Sequence, residues 1–269
     1  MESNLLERRV DHILREAIAE ADGTLLVVDP SPETVEALVD VGTEMTDDGP
    51  TLHVLARSSV LKDVMDDFLT ASHAADLVED EIVSLRTLED AADNSLLVWD
   101  GAVLAVVSAD DRVAALSTTD SSFVRSVYET YAERWQQAPE FTLRTPPLSR
   151  VRETLETEIS TQARTDLDTI LGLLPESDPA ERPDEVVIAL LVAAKNGILL
   201  YDISKWGEDI GVASKATFSR TKTRLEEDVL TTEKVPIDVG RPRLRLRLAE
   251  RLRDESIESV LEETKAELE

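Results

Sequence analysis

The chain has 269 residues, 42% hydrophobic and 31% charged, with 56 Asp and Glu against 28 Lys and Arg, giving a formal net charge of −28. That apolar share, set in periodic elements, excludes an acidic disordered protein, and the length predicts two domains, each able to bury a core. With no cysteine present, a disulfide framework, a thiolate metal site and a thiol nucleophile are all excluded.

In chain order, Leu5–Ala21 reads as an opening helix with Leu6, Val10, Ile13, Leu14 and Ile18 along one face. It lacks the apolar h-region of a signal peptide, and the longest apolar runs fall short of the roughly 18 residues that span a bilayer. A cytoplasmic protein that does not enter membranes is expected. Strand Thr24–Val28 follows, and then Ser31 as N-cap and Pro32 at the first helical position start a helix to about Met45. Strand Thr51–Ala56 comes next, and Arg57-Ser58-Ser59 opens a third helix lined by Val60, Leu61, Val64, Phe68 and Leu69.

Beyond that helix the chain turns strand-rich, with Ile82–Leu85, Leu96–Trp99, Val103–Val107 and Val113–Leu116 as short runs. Asp100-Gly101 and Asp110-Asp111 separate them, and Asp-Gly between apolar runs is a strong hairpin signal. Ser122–Gln137 closes the domain as a helix. This βαβα order, then a β meander, then α, predicts an α/β fold: a mixed sheet with helices on its faces over residues 1–138. The continuous runs Leu25–Val28 and Leu96–Trp99 suit central strands covered on both sides. Pro139–Pro147 reads as a linker, Leu148–Leu174 as a connecting helix, and Pro175–Pro183 as a second linker.

The N-terminal domain carries no Gly-rich dinucleotide loop, Walker sequence or nucleophile elbow. His12, His53 and His73 lack metal-ligand spacing, with His53 inside a strand and His73 at a helix end. No catalytic residue, metal or cofactor is therefore assigned, and the protein is not expected to be an enzyme. Pockets in open α/β sheets form at the carboxyl ends of strands. Arg57, Ser58 and Ser59 sit at one such end with a positive charge, hydroxyls and helix amides, a set suited to a sugar phosphate. Asp29, Ser31 and Thr34 form the neighbouring loop and suit sugar hydroxyls, although Ser31 and Ser58 have a simpler use as helix caps.

Between Ile203 and Leu248 the sequence reads as a winged helix, within a third region spanning residues 184–269. A short helix Ile203–Ile210 carries Trp206 and Ile210 inward, Gly211-Val212-Ala213 turns, and Ser214 caps a helix from Lys215 to Asp228. A strand near Val229–Pro236, a tip at Val239-Gly240-Arg241-Pro242 and a return strand Arg243–Leu248 complete it. At 100° per residue Phe218, Thr221 and Leu225 face the core. Ser214, Lys215, Thr217, Ser219, Arg220, Lys222, Thr223 and Arg224 are the residues assigned to duplex DNA, with Arg220 able to grip guanine O6 and N7. Arg243, Arg245 and Arg247 alternate with leucines, which predicts a half-buried strand with Arg241, Arg243 and Arg245 turned to phosphate. Charged residues on an edge strand also serve to block aggregation, which is the plainer use of the same pattern.

The charge follows this division. Residues 1–150 carry 11 basic and 30 acidic groups, whereas residues 195–253 carry 13 and 9, so the winged helix is the one basic stretch. Acidic residues spread along the whole chain, with only 7 Lys, resemble the proteins of salt-in haloarchaea. Ala249–Leu268 reads as a terminal helix. Its Leu252, Ile257, Val260, Leu261 and Leu268, or else Val151, Leu155, Ile159, Leu167, Ile170 and Leu171 of the connecting helix, are candidate contacts of a homodimer.

With KWGEDIGVASKATFSRTKTRLEED and DVGRPRLRLRL read, the chain resembles the haloarchaeal TbsP family of transcription regulators through most of its length. The resemblance implies an association with TrmB-type sugar regulators and with control of gluconeogenic genes. TrmB-type proteins carry a sugar-responsive domain resembling phospholipase D folds; the chain lacks the His-x-Lys pair of the catalytic enzymes, so that likeness is architectural. The alternatives are a protein-interaction or sensory module without DNA, and an α/β enzyme fused to a winged helix. In the N-terminal domain, a small-molecule effector (a sugar or sugar phosphate) competes with a plain dimerisation scaffold.

Overall fold

The computed structural model describes residues 4–46, 48–109, 112–174, 182–226, 228–236, 238 and 242–268. They form two compact units, Met1–Leu143 and Arg144–Glu269.

The first unit opens with a strand, β1 (Asn4–Glu7), where the sequence predicts a helix, and α1 (Val10–Glu20) begins only at Val10. Pairing is the reason: β1 lies antiparallel to β7 (Arg112–Thr118) with Leu5 opposite Ala115, which buries Leu5 in the sheet. Leu6, placed on the helix face by periodicity, is 60% exposed instead. Then follow β2 (Thr24–Val28), α2 (Pro32–Thr43), β3 (Thr51–Arg57), α3 (Ser58–Val64) and α4 (Phe68–Glu79). The expected third helix is thus two, because the Asp67 carboxylate accepts the Thr70 N–H at 2.8 Å and caps a fresh start. His73 lies inside α4 rather than at a helix end.

Next come β4 (Val83–Leu88), β5 (Ser95–Val98), β6 (Val103–Ala109), β7 and α5 (Ser121–Gln137). The Asp110-Asp111 turn lies outside the described residues. Among the described residues seven strands form one sheet in the order β1-β7-β6-β5-β2-β3-β4, parallel from β2 to β4 and antiparallel elsewhere. Alternation along β2 feeds two cores. Leu25 and Val27 pack with Ile13, Leu14, Val35, Leu38 and Leu61 of α1–α3, whereas Leu26 and Val28 pack with Val124 and Trp135 of α5. The expected linker begins as structure, since Thr87 N–H donates to Pro139 O and Phe141 N–H to Leu85 O, both at 2.9 Å. These bonds cover the outer edge of β4.

In the second unit α6 (Leu148–Thr154) runs into a π-helical turn at Leu155–Ile159 and stops. Ser160, extended, caps α7 (Thr161–Leu173) by accepting the Ala163 N–H at 3.1 Å, so the single connecting helix read from sequence is broken there. Most of the second linker, residues 175–181, lies outside the described residues. The helix α8 (Glu185–Lys195) has no apolar period to reveal it, because Val186 to Ala194 are all buried. Then come α9 (Leu200–Ile210), α10 (Lys215–Leu225), β8 (Leu230–Val235), β9 (Arg243–Leu248), a single 3-10 turn at Glu250–Leu252 and α11 (Ile257–Leu268).

A helix apolar all round must be covered all round, and α7, α9, α10, α11 and β9 pack about α8. Most of the residues proposed for a dimer are taken up, although Ile159 and Leu171 stay half-buried. Val151, Leu155, Leu167 and Ile170, and likewise Leu252, Ile257, Val260 and Leu261, are buried within their own unit; the side chain of Leu268 is outside the described residues. No described helix is long and apolar enough to cross a membrane.

Candidate nucleic-acid interface

Three glycine-dependent or polar devices set α10 against α9. Gly211, at φ +88°, takes the left-handed conformation that ends α9, with Val212 N–H donating to Gly207 O at 2.8 Å. Ser214 then caps α10, its hydroxyl accepting the Thr217 N–H at 3.2 Å. Gly207 has no side chain to block the close crossing: a Cβ there would lie 2.5 Å from Phe218 Cζ.

Phe218, Thr221 and Leu225 of α10 are buried, and Lys222 joins them. That corrects the reading of Lys222 as a DNA contact. It stands one helical turn beyond Phe218, and its ammonium binds the Glu226 carboxylate, which Thr232 Oγ1 also donates to at 2.9 Å. Ser214, Lys215, Ala216, Ser219, Arg220, Thr223 and Arg224 form the exposed face, with Thr217 half-buried beside them. Within it Thr223 Oγ1 donates back to Ser219 O at 3.0 Å. Lys215 is held by Glu208 of α9, and Arg224 Nη2 donates to Asp184 Oδ2 at 3.2 Å. Of the four cations on α10, Arg220 alone has no ion pair among the described residues.

The wing is β8 against β9, with Leu230 opposite Leu248 and Thr232 opposite Leu246. Leu246 and Leu248 are buried, Leu246 N–H donates to Ile198 O at 2.9 Å, and Leu199 bridges Arg245. The stretch before α9 therefore adds a third short rung. The alternation of leucine and arginine holds, but the arginines are engaged rather than simply outward. Arg243 lies over the Tyr201 ring, 4.2 Å from its centroid, with Asp202 at 3.5 Å. Arg247 faces Glu233 at 3.6 Å and covers Gly197. Arg245 has its Nε buried with no hydrogen-bond partner among the described residues. Arg241 and the tip residues 239–240 lie outside the described residues.

In the first unit the proposed effector residues lie at the carboxyl ends of the parallel strands β2 and β3, where Asp29 meets Arg57 and Ser31 meets Thr34. Asp29, at φ +43°, accepts Arg57 Nε at 2.8 Å and Ala92 N–H at 3.0 Å, so the charge expected to await an anion is already paired. Ser31 and Thr34 share a hydroxyl–hydroxyl bond of 2.9 Å, Ser31 also capping α2, while Ser58 is half-buried and Ser59 exposed. His53 stacks on Trp135 at 4.4 Å with Arg86 over the same indole. Burial, then the Arg86 charge, pulls its pKa below the ordinary histidine value. Among the described residues no group of three or more His, Asp or Glu is placed to hold a metal.

Two helices joined by a tight turn, backed by α8 and followed by a short β-ribbon, are a helix-turn-helix domain of the winged type. A family model for the N-terminal domain of TbsP-like transcriptional regulators matches residues 2–146, and one for their C-terminal helix-turn-helix domain matches residues 147–265. The chain belongs to the TbsP-like transcriptional regulators. Among solved structures it is similar to the archaeal chromatin protein TrmBL2, at 20% identity and a TM-score of 0.40, over 52% of this chain and 54% of that one. The chain thus spans about half the length of that protein. No curated protein matches it.

Proposed function

We propose that the protein is a cytoplasmic, non-catalytic regulator that binds duplex DNA sequence-specifically, with α10 in a major groove and the β8–β9 wing along the backbone. The exposed face of α10 carries this reading. Ala216, Ser219 and Thr223 are small enough to let the helix lie deep, and Arg220 between them has a guanidinium uncommitted to any ion pair among the described residues. The working unit is a homodimer, since one winged helix covers one half-site. With Val151, Leu155, Leu167, Ile170, Leu252, Ile257, Val260 and Leu261 buried inside the unit, its contact rests on other residues.

On the family resemblance the targets are genes of sugar metabolism, and the N-terminal unit biases DNA binding through an effector. A sugar phosphate at Asp29, Ser31, Thr34, Arg57, Ser58 and Ser59 would have to draw Arg57 away from Asp29. Such a ligand acts only through its different affinities for the two DNA-binding states. Selection of bound duplexes from a random library in molar KCl, followed by footprinting, tests the central claim. A two-fold symmetric site is expected, and no enriched and no protected sequence would end the DNA reading.

A further inference from the structure

Three of the cations that the DNA reading assigns to the duplex, Lys215, Arg224 and Arg243, are in the DNA-free protein held by carboxylates from other elements of the same chain. Lys215 is held by Glu208 of α9 through its ammonium, and its backbone N–H also donates to Glu208 Oε1 at 3.4 Å. Arg224 reaches Asp184, the residue that caps α8 by accepting Val187 N–H at 2.8 Å with its other oxygen. Arg243, stacked on Tyr201, lies against Asp202 of α9. These are three separate pairs, α9 to α10, α8 to α10 and α9 to β9. Each puts an anion on a cation that the proposed complex needs for a phosphate or a base. All are about half exposed, so DNA can reach them, and such pairs are individually weak enough to exchange. Glu208 is held below the usual glutamate range by the Lys215 ammonium first and its backbone N–H second, so it stays an anion at neutral pH.

We propose that Asp184, Asp202 and Glu208 stand in for DNA phosphate in the unbound protein, so that binding is an exchange of carboxylate for phosphate at Arg224, Lys215 and Arg243. The inference rests on the DNA reading above. Its consequence concerns ions. A cation that meets a phosphate releases about 0.9 counterion from the duplex, which makes affinity fall as salt rises. Here each displaced carboxylate takes up a cation from solution as its own partner leaves. Net release is smaller, and the protein loses affinity with salt less steeply than its number of phosphate contacts implies. The three carboxylates also exact a cost in affinity that is largest at low salt, where repulsion between them and the duplex is least screened.

The test compares the whole protein with the isosteric triple variant Asp184→Asn, Asp202→Asn, Glu208→Gln. The control Glu79→Gln, Asp80→Asn, Glu89→Gln has the same net charge, and its substituted groups are exposed and far along the chain from α10. Each is titrated with KCl against the duplex recovered in the selection, by fluorescence anisotropy. The first triple is expected to bind more tightly at low salt and to lose affinity more steeply. The slope of log K on log salt should change by up to about one per carboxylate, or about fourfold in affinity per carboxylate over a fourfold rise in salt. The control should keep the wild-type slope. Equal slopes in all three proteins, or the same change in both triples, would overturn the exchange while leaving DNA binding intact; failure to recover any duplex is instead the failure of the DNA reading. Circular dichroism of the first triple separates a lost cap at α8 from a changed interface, and Asp184→Ser, which keeps a capping oxygen, should reproduce its share of the slope change.

Discussion

Arg220 and Phe218 share α10 and point opposite ways, one exposed and one fully buried, so their replacements should separate recognition from stability. Arg220→Ala is expected to cost on the order of 1–3 kcal/mol of binding and to relax the preference at one base pair, measured on single-base variants of the selected site. Phe218→Ala should instead cost about 3–5 kcal/mol of folding free energy in denaturant titration. Gly207→Ala drives a methyl into the same ring and should cost about 1–3 kcal/mol. His53 makes a prediction in pH. Its folded pKa lies below the unfolded value, so the unfolded chain binds the proton more readily. Stability is undiminished above about pH 6.5 and falls as pH drops through that value. Urea midpoints of wild type and His53→Phe should diverge below that pH, and parallel curves would remove the role given to the half-buried imidazole. The inward set Phe218, Thr221 and Leu225 was legible from helical spacing. Lys222 was not, because its pairing with Glu226, which keeps the ammonium satisfied at the edge of the core, exists only in the folded helix.

At the scale of elements, caps and turns were the readable features. Ser31-Pro32, Gly211 and Ser214 act as the sequence implies, each with a local hydrogen bond or backbone angle that neighbouring residues determine, whereas Ser58 does not cap α3, which starts from Arg57 with no side-chain bond at the cap. What escaped were elements decided by distant partners. β1 is a strand because β7 is there to pair with it, and α8 is hidden because burial on every side erases the period that marks an amphipathic helix. Ser160 is an intermediate case. A cap within an apparent helix is legible only once the π turn before it is known, since Ser is tolerated inside helices too. Ser160→Ala should cost about 1 kcal/mol, seen in the thermal midpoint, and should leave the affinity of an already folded protein for DNA unchanged. The wing arginines were read correctly in alternation and incompletely in role, because Tyr201, Asp202 and Glu233 become their neighbours only through the fold.

At the scale of the whole molecule the net charge of −28 sets the conditions in which it works. Carboxylates spread over the chain repel one another in the compact state, and screening at about 0.1 M salt reaches only about 10 Å. The thermal midpoint should therefore rise as KCl is raised from low to molar concentration, and a midpoint independent of salt would show that the folded chain has neutralised its own field. One pairing in the first unit bears on how that chain comes to be folded. β1 and β7 are neighbours in the sheet with Asn4 set against Leu116, so among the described strands of this sheet the first in chain order pairs with the last. The parallel strands β2 to β4 join residues close in sequence and can assemble while synthesis continues. Until β7 emerges, the side of β1 that carries Leu5 has no partner strand to dock on. The pairing of β1 then waits until β7 has been made, and β1 is the strand of this unit that a chaperone would have most reason to shield meanwhile.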